Sequence, residues 1–333
     1  MLQAVVGQRR SQLAAPGRPK LAQGHHIGAG PHNGQEDLRQ SLRAPAVQDV
    51  PEQDSHRSPP RYGSPVLIRI DTPDHPLLAD YRDLTDAQLR AREHRGEHAH
   101  FIAEGEGVVR HLIASRFPVR SLLLTPAFAE GRLADVIAAL DPAIPVLVAE
   151  PPVMEQVAGF PFHRGVLASG RRLPDPPLDT LLADAACIVV CEDLANIENV
   201  GSIFRNLACM VEHAAVLLTP RSCHPLYRKA LRVSMGHALR IPFAVLPDWP
   251  GSIGRLHDAG FTTLALTPRP QAVSLRDLPP VSRPALLLGS EGPGLHDATI
   301  AAATRPVRIP MTPGSDSLNV ATALAVVLWH CVR

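Results

Sequence analysis

Residues 286–295 read LLLGSEGPGL, in which an apolar run stops at a loop of three glycines, one proline and the carboxylate of Glu291. A short apolar run bounded by glycine and proline is typical of a buried β-strand. In an open α/β sheet, ligands bind outside the carboxyl ends of the strands, so this loop is a candidate for lining a ligand site. Its glycine spacing matches neither GxGxxG nor GxxxxGK[ST], and a plain tight turn would explain it equally well.

The sequence around this loop alternates between short apolar runs and runs with helical periodicity, which predicts an α/β fold built in layers. Before residue 171 we predict strands at 119–125, 144–149 and 162–169 and helices at 104–115, 129–140 and 151–159. From about residue 181 onward, the predicted strands are 187–193, 214–219, 239–246, 261–267 and 307–311, and residues 285–295 are a strand that runs into a glycine loop. The predicted helices of this part are 199–213, 225–235, 252–260, 295–303 and 317–333.

Composition divides the chain into four predicted parts. Residues 1–63 hold seven Pro, seven Gly and no aromatic residue before Tyr62, so they cannot bury enough apolar surface to fold, and we predict a disordered tail. Residues 64–172 form a first α/β domain, the proline-rich residues 173–182 a linker, and residues 183–333 a second α/β domain. The tail carries eight Lys or Arg and five Asp or Glu, which is compatible with RNA contact, although we favour a tail without function.

The overall charge and composition exclude few functions. The 33 Lys and Arg residues nearly balance the 32 Asp and Glu residues, which excludes a strongly basic, histone-like binder. RNA binding is not excluded, because a basic patch is local whereas net charge is a sum. A hydrophobic content of 45% is enough to build real cores, so the chain as a whole is not disordered.

The cysteines favour a reducing compartment. Their number, five, is odd, and none has the spacing of a zinc site, so we predict no metal. Cys187 and Cys191 lie four apart in an apolar run and are predicted to be core thiols. No apolar stretch approaches the ~20 residues of a membrane span, and the first residues lack the apolar segment of a secretory signal. We therefore predict a cytoplasmic protein without membrane contact.

Two further segments have unusual composition. Residues 196–206 read NIENVGSIFRN, where Asn199 is a candidate helix cap and Gly201 would allow a backbone or a ligand to approach closely. Arg205 lies one helical turn after Gly201, and spacing alone favours a solvated surface arginine there.

The other segment, residues 309–320, reads IPMTPGSDSLNV and predicts a strand, a polar loop and a helix start. Ser317 or Asp316 can cap that helix. Capping does not explain Asn319, which is expected inside an otherwise apolar helix, where its amide needs a partner.

These three segments together resemble the three motifs of the SpoU/TrmH class of SPOUT RNA methyltransferases. The matching text is NVGSIFRN, LLLGSEGPGL and IPMTPGSDSLNVATA, in the family's order, and the intervening PLYRKALRVSMGHALRIPF is also similar. The resemblance covers about residues 185–333. More weakly, residues 100–170 resemble the small L30e-like substrate-binding domain that often precedes it. After RNLA the family has a small residue, an aromatic and Gly, whereas this chain has Cys209, Met210 and Val211.

The resemblance implies a C-terminal domain threaded as a trefoil knot that binds S-adenosylmethionine in its loops and forms a homodimer. Carried over by position, the implied cofactor-binding residues are Leu288, Gly289, Glu291, Gly292, Gly294, Ile309, Met311, Ser317, Leu318 and Asn319. It also implies methyl transfer to a ribose 2′-hydroxyl of RNA, with Arg205 activating the hydroxyl or gripping phosphate. The other implied catalytic residues are Asn199, Glu291, Ser317 and Asn319.

Two alternative functions remain open from the sequence. One is an RNA-binding or ribosome-assembly protein that kept the fold and lost catalysis, although the presence of all five implied catalytic residues speaks against it. The other is a knotted methyltransferase acting on a base nitrogen, against which the SLNVATA segment favours the ribose class. Ribosomal and transfer RNA are both compatible substrates, and the two-domain organisation favours ribosomal RNA.

Overall fold

A computed structural model of the chain describes residues 66–82, 84, 88, 100–160, 164–315 and 317–331. The predicted tail, residues 1–63, lies outside the described residues, as does Asp316. Within the described part, strands and helices alternate along the chain and assemble two separate sheets, so the predicted α/β layer architecture is confirmed.

The first sheet has five strands and mixed direction. Its strands are β1 (Leu67–Ile70), β2 (His100–Glu104), β3 (Val119–Leu124), β4 (Val146–Ala149) and β5 (Val166–Arg171). They lie in the order β1-β4-β3-β5-β2, in which β4 pairs in parallel with β1 and β3, while β5 is antiparallel to β3 and β2. The helices of this part are α1 (Glu106–Ile113), α2 (Ala134–Ala139) and α3 (Pro151–Ala158), with a π-helical turn at Phe128–Arg132.

The second sheet has seven strands, all parallel to their neighbours. Its strands are β6 (Cys187–Cys191), β7 (Ala214–Leu218), β8 (Phe243–Val245), β9 (Thr262–Leu266), β10 (Val273–Ser274), β11 (Pro284–Leu288) and β12 (Arg305–Arg308). They lie in the order β10-β12-β9-β11-β6-β7-β8, so β11 is inserted between β9 and β6. This order brings the carboxyl ends of β9, β11 and β12 to one edge of the sheet.

Helices cover this parallel sheet, as the near-continuous burial of its strands requires. They are α4 (Leu178–Asp184), α5 (Ile197–Met210), α6 (Arg228–Val233), α7 (Ile253–Asp258), α8 (Asp297–Ala302) and α9 (Val320–Cys331). The strands β6, β7 and β11 are buried at every position. Burial raises the pKa of the Cys187 and Cys191 thiols to about 12, which confirms them as core thiols.

The two sheets are connected through helix α6, which packs against β2. The carboxylate of Glu104, only 4% exposed, accepts a hydrogen bond of 2.7 Å from Arg228 Nη1 and also faces Arg232 and Arg164. A second contact joins His111 Nδ1 of α1 to the carbonyl oxygen of Met235, at 2.8 Å. These polar contacts therefore join the first sheet to the second, alongside an apolar cluster that contains buried residues of both.

The sequence missed several short elements. Strands β1, β2 and β10 were not predicted, and helix α4 lies across the end of the predicted linker. Helix α4 was missed because the prolines before it indicated a linker. Pro177 directly precedes α4, a position where proline is compatible with a helix start. No helix among the described residues is both long and apolar enough to cross a bilayer.

Candidate functional site

A cavity of about 270 Å³ opens at the carboxyl edge of the seven-stranded sheet, where β9, β11 and β12 end. Its lining comprises Leu266, Thr267, Pro268, Leu288, Gly289, Ser290, Glu291, Gly292, Gly294, Val307, Ile309, Met311, Ser317, Leu318, Asn319, Val320 and Ala323. All ten residues predicted from the sequence to bind a cofactor are in this set. The structure therefore brings the second and third sequence segments together around one cavity.

Glycine is required in the loop that follows β11. A Cβ atom on Gly289 would lie 2.1 Å from the backbone of Gly294 and Leu295, so only glycine lets the loop close on itself. Gly292 and Gly294 have φ angles of 91° and 74°, which L side chains rarely adopt. A hydrogen bond of 2.9 Å from the Gly294 N–H to the Ser290 carbonyl closes the turn. The loop, residues 289–295, is hereafter the glycine loop.

The start of helix α9 differs from the prediction. Asn319 Oδ1 accepts hydrogen bonds from the backbone N–H groups of Ala321, at 2.9 Å, and Thr322, at 3.2 Å, so Asn319 is the cap. The predicted cap Ser317 is wrong: it lies two residues before Asn319 in the exposed loop. Asn319 consequently lies at the start of the helix, whereas the sequence predicted it inside the helix. Ser, Asp and Asn are nearly equivalent caps, so composition could not choose among them.

Asn199 is also misassigned by the sequence. The cap of helix α5 is Asn196, whose side chain accepts from the N–H groups of Glu198 and Asn199. Asn199 lies within the helix, 5% exposed, and its Oδ1 accepts a 2.9 Å hydrogen bond from Asn319 Nδ2. This amide pair joins the first sequence segment to the third and supplies the partner that Asn319 was expected to need.

The Asn199 amide retains one buried donor, Nδ2, without a hydrogen-bond partner among the described residues. A buried donor without a partner is rare in folded proteins and carries a free-energy cost. Here it lies beside the residue that caps α9 at the cavity.

Gly201 serves helix packing rather than ligand approach. A Cβ atom there would lie 2.8 Å from the Ala230 carbonyl oxygen and from Val233 Cβ, so the glycine lets α5 and α6 pack closely. The sequence indicated that either a backbone or a ligand approaches Gly201, and the structure confirms the backbone.

Two predicted site residues do not line the cavity, namely Asn199, which contacts the lining residue Asn319, and Arg205. Arg205 is exposed on α5 and forms no ion pair with any residue that the structure describes. The pKa of His237 is lowered, first by burial and then by the charges of His111, Arg240 and Arg205. Arg205 therefore presents an uncompensated positive charge to solvent, close to the junction of the two sheets.

Sequence reasoning missed several lining residues, chiefly Leu266, Thr267 and Pro268 at the end of β9 and Ser290 in the glycine loop. A signal was present, because TLALTP is also an apolar strand that ends at a polar residue and a proline. The adjacency of β9 to β11 is what makes this strand end part of the site, and adjacency is not readable from local pattern.

Comparison with known proteins gives a consistent result. A model described as the SpoU rRNA methylase family matches residues 186–329. An uncharacterized tRNA/rRNA methyltransferase of Mycobacterium bovis is 43% identical over 265 residues, covering 78% of this chain and 90% of the relative. A 23S rRNA (guanosine-2′-O-)-methyltransferase of Acinetobacter baylyi is 27% identical over 211 residues, covering 61% of this chain and 85% of the relative.

Among solved structures, the AdoMet-bound rRNA methyltransferase of Sinorhizobium meliloti superimposes with a TM-score of 0.65 at 22% identity. The match covers 79% of this chain and 97% of that structure. At this identity the likeness concerns the fold, which the two chains share over most of their length.

Proposed function

The chain belongs to the SpoU rRNA methylase family of RNA methyltransferases, and from this membership we propose that it transfers a methyl group from S-adenosylmethionine to a ribose 2′-hydroxyl, with ribosomal RNA as the substrate class. The observation that carries the proposal is the cavity at the carboxyl edge of the parallel sheet. The glycine loop surrounds it together with Ile309, Met311, Ser317, Leu318 and Asn319.

The cavity's lining fits S-adenosylmethionine. Among the described lining residues, Glu291 is the one with a charge and none is Lys, Arg or His, which suits a ligand with a positive sulfonium. Ile309 and Leu318 offer apolar surface to a planar base, and the glycines expose backbone groups that can read its edge. At about 270 Å³ the cavity is close to the ~300 Å³ at the lower end of small-ligand pockets.

When bound, the cofactor supplies a methyl group already activated by its sulfonium. The chain's own residues then have to hold and orient the partners. We assign Asn319 and Ser317 to orientation at the start of α9, with Asn199 holding Asn319 through the 2.9 Å amide bond. Glu291 is assigned to the cofactor's positive end.

Arg205 is assigned to the RNA. It is exposed and has no ion-pair partner among the described residues, so its planar guanidinium is available to grip a phosphate and orient the adjacent 2′-hydroxyl. Because the pKa of arginine exceeds ~12, direct removal of the hydroxyl proton is the less favourable of its two possible roles.

A trefoil knot at the C-terminus is part of this proposal. Helix α9 packs against α5, and Asn206 Nδ2 donates a 2.8 Å hydrogen bond to the Ala321 carbonyl. The chain thus returns from β12 at one side of the sheet to a helix beside the first segment. We also propose that residues 64–172 are an L30e-like RNA-binding domain, with 173–182 as linker and 183–333 as the methyltransferase domain.

A homodimer is proposed from the exposed face of α9. Trp329 is 75% exposed and Val326 is 39% exposed, one helical turn apart on the same face. Large apolar side chains grouped on a helix surface mark a binding site more often than a solvated one. A second copy covering this face would also bring further groups near Arg205 on the neighbouring helix α5.

The ribosomal substrate and the ribose position are supported by the named activity of the A. baylyi relative. The testing experiment is methyl transfer from radiolabelled S-adenosylmethionine to ribosomal and transfer RNA, followed by alkaline hydrolysis. A 2′-O-methyl leaves the adjacent phosphodiester resistant to alkali, so the label is expected in a resistant dinucleotide from ribosomal RNA. Label in a mononucleotide would identify a base methyltransferase, and RNA binding without transfer would identify a non-catalytic binding protein.

A further inference from the structure

Both ends of the glycine loop are attached to one residue, Glu192. Its backbone N–H donates a 2.8 Å hydrogen bond to the carbonyl of Leu288, the last residue before the loop. Its side-chain Oε1 accepts a 2.6 Å hydrogen bond from the N–H of His296, the first residue after the loop. The loop therefore starts and ends on the same anchor.

The Glu192 carboxylate accepts further hydrogen bonds from two side chains. It is 1% exposed, and its Oε2 accepts from Trp249 Nε1 at 2.5 Å and from the hydroxyl of Thr299 in α8. The ring of His296 lies 3.5 Å from Glu192 Oε1 and, through its other nitrogen, 3.6 Å from Asp193. Neutral donors with fixed positions hold the carboxylate, and through it the helix that follows the loop.

Apart from the Gly294–Ser290 hydrogen bond and the buried Leu295, the loop has little other support among the described residues. Glu291, Gly292 and Pro293 are exposed, and two of its glycines have positive φ. Exposed, glycine-rich segments have much conformational entropy to lose on binding, and affinity rises when the protein fixes the bound conformation beforehand. Glu192 does not line the cavity, so any effect it has on a ligand must act through the loop.

We infer that Glu192 is a positioning residue that holds the glycine loop in its ligand-binding conformation before the cofactor arrives. The inference rests on the proposed function in one respect, namely that the cavity holds S-adenosylmethionine. Neither the family motifs quoted above nor the cavity lining includes Glu192, whose role depends on partners 57 to 107 residues away in the sequence.

Two buried threonines provide a matched test in the full-length chain. Thr299 is 0% exposed and donates to Glu192, near the loop. Thr263 is also 0% exposed, and its hydroxyl bonds His257 Nε2 at 2.8 Å and Thr304 at 3.1 Å, near the amino end of β9. Thr299→Val and Thr263→Val thus remove the same buried hydroxyl at opposite edges of one sheet.

We expect Thr299→Val to raise the calorimetric Kd for S-adenosylmethionine about tenfold, and Glu192→Gln to raise it by at least as much. Thr263→Val should keep the wild-type Kd while lowering the melting temperature to a similar extent. Steady-state kinetics should show a raised cofactor KM with kcat within about twofold of wild type, because the loop geometry is restored once the cofactor saturates it.

Hydrogen exchange of the ligand-free proteins tests the anchor independently of any cofactor. Amides of residues 289–296 should exchange faster in Thr299→Val and Glu192→Gln, and at the wild-type rate in Thr263→Val. Unchanged exchange there, or an equal rise of Kd in Thr263→Val, would overturn the inference. A wild-type chain that fails to bind S-adenosylmethionine, yet shows the expected exchange, would overturn the proposed cofactor while leaving the anchor established.

Discussion

Each sheet has a buried glutamate at the end of one strand, and the hydrogen-bond partners of the two glutamates differ in kind. Glu104 at the end of β2 faces arginines, of which Arg228 and Arg232 come from the other sheet's helix α6. Glu192 after β6 is held by a backbone N–H, an indole and a hydroxyl. Flexible charged partners suit the docking of two separately built layers, whereas fixed neutral donors suit the exact shape of a loop.

The two sheets also differ in the direction of their strands. The five-stranded sheet has mixed direction and its strand ends are divided between two edges. The seven-stranded sheet is entirely parallel, so its carboxyl ends gather at one edge and leave a cavity there. We therefore expect changes around the cavity of the second region to alter cofactor affinity, and changes in the first region to alter stability and RNA affinity alone.

The largest effect should come from ending the chain after Thr312. This removes α9, in which Leu324, Val327 and Leu328 are 0% exposed. Burying three such side chains contributes about 5–9 kcal/mol, comparable with the whole stability of a typical domain. We expect loss of both cooperative unfolding and cofactor binding, measured by circular dichroism and calorimetry.

A chain that ends at Cys331 is the control and should retain both properties. If the chain ending after Thr312 folded and bound cofactor, the cavity would not need the C-terminal helix. The proposed knot would fail with it.

The next effect concerns turnover rather than binding. Arg205→Ala should lower single-turnover methylation by about 10²-fold, the loss expected when a reacting group is no longer held in position, with the cofactor Kd unchanged. Arg205→Lys should restore little, because lysine lacks the planar fork that grips phosphate. Arg276→Ala, which removes another exposed arginine from the same region, should methylate at the wild-type rate. A wild-type rate in Arg205→Ala would make Arg205 a surface arginine.

Glu104→Gln tests the first region. It leaves Arg228, whose side chain is 11% exposed, without a full counter-charge, and breaking a buried ion pair costs about 3 kcal/mol. We expect that loss in denaturant unfolding, with the cofactor Kd within about twofold of wild type. Glu106→Gln, at a more exposed pair with Arg110, should cost less than about 1 kcal/mol. A tenfold change in Kd in Glu104→Gln would erase the distinction between the two regions.

Asn319 allows a smaller and finer test within the cavity. Asn319→Ala removes the cap of α9 and the bond to Asn199, so we expect about 1 kcal/mol of lost stability and a cofactor Kd raised up to about tenfold. Asn319→Ser keeps a capping oxygen but is too short to reach Asn199. It should therefore recover stability and leave Kd raised. If serine also restored Kd, the amide pair would have no part in binding.

Features that depend on neighbouring residues in the sequence could be predicted, and features that depend on distant residues could not. The ten predicted cofactor residues surround one cavity because glycine loops and strand ends are local signals, and a parallel sheet assembles strand ends by rule. The caps Asn196 and Asn319 were misplaced by a few residues because Asn, Ser and Asp cap almost equally well.

Glu192 was missed because a carboxylate after an apolar strand has no local mark of its role. Its partners Trp249, His296 and Thr299 are brought to it only by the order of the strands. Strands β1 and β10 were missed for a related reason, since four and two residues are too few to show an alternating pattern.

The smallest expected effect is none at all, from a chain that begins at Ser64. The seven Pro and seven Gly of residues 1–63, with one aromatic residue, Tyr62, give that segment too little apolar surface to offset the entropy of ordering it. Melting temperature and cofactor Kd should therefore match those of the full chain, measured side by side. Their net charge of +3 allows one further comparison, RNA affinity at low and high salt. A drop in RNA affinity that disappears at high salt would assign the segment an electrostatic role, while a lowered melting temperature would contradict the prediction, because it would require the segment to pack on one of the two sheets.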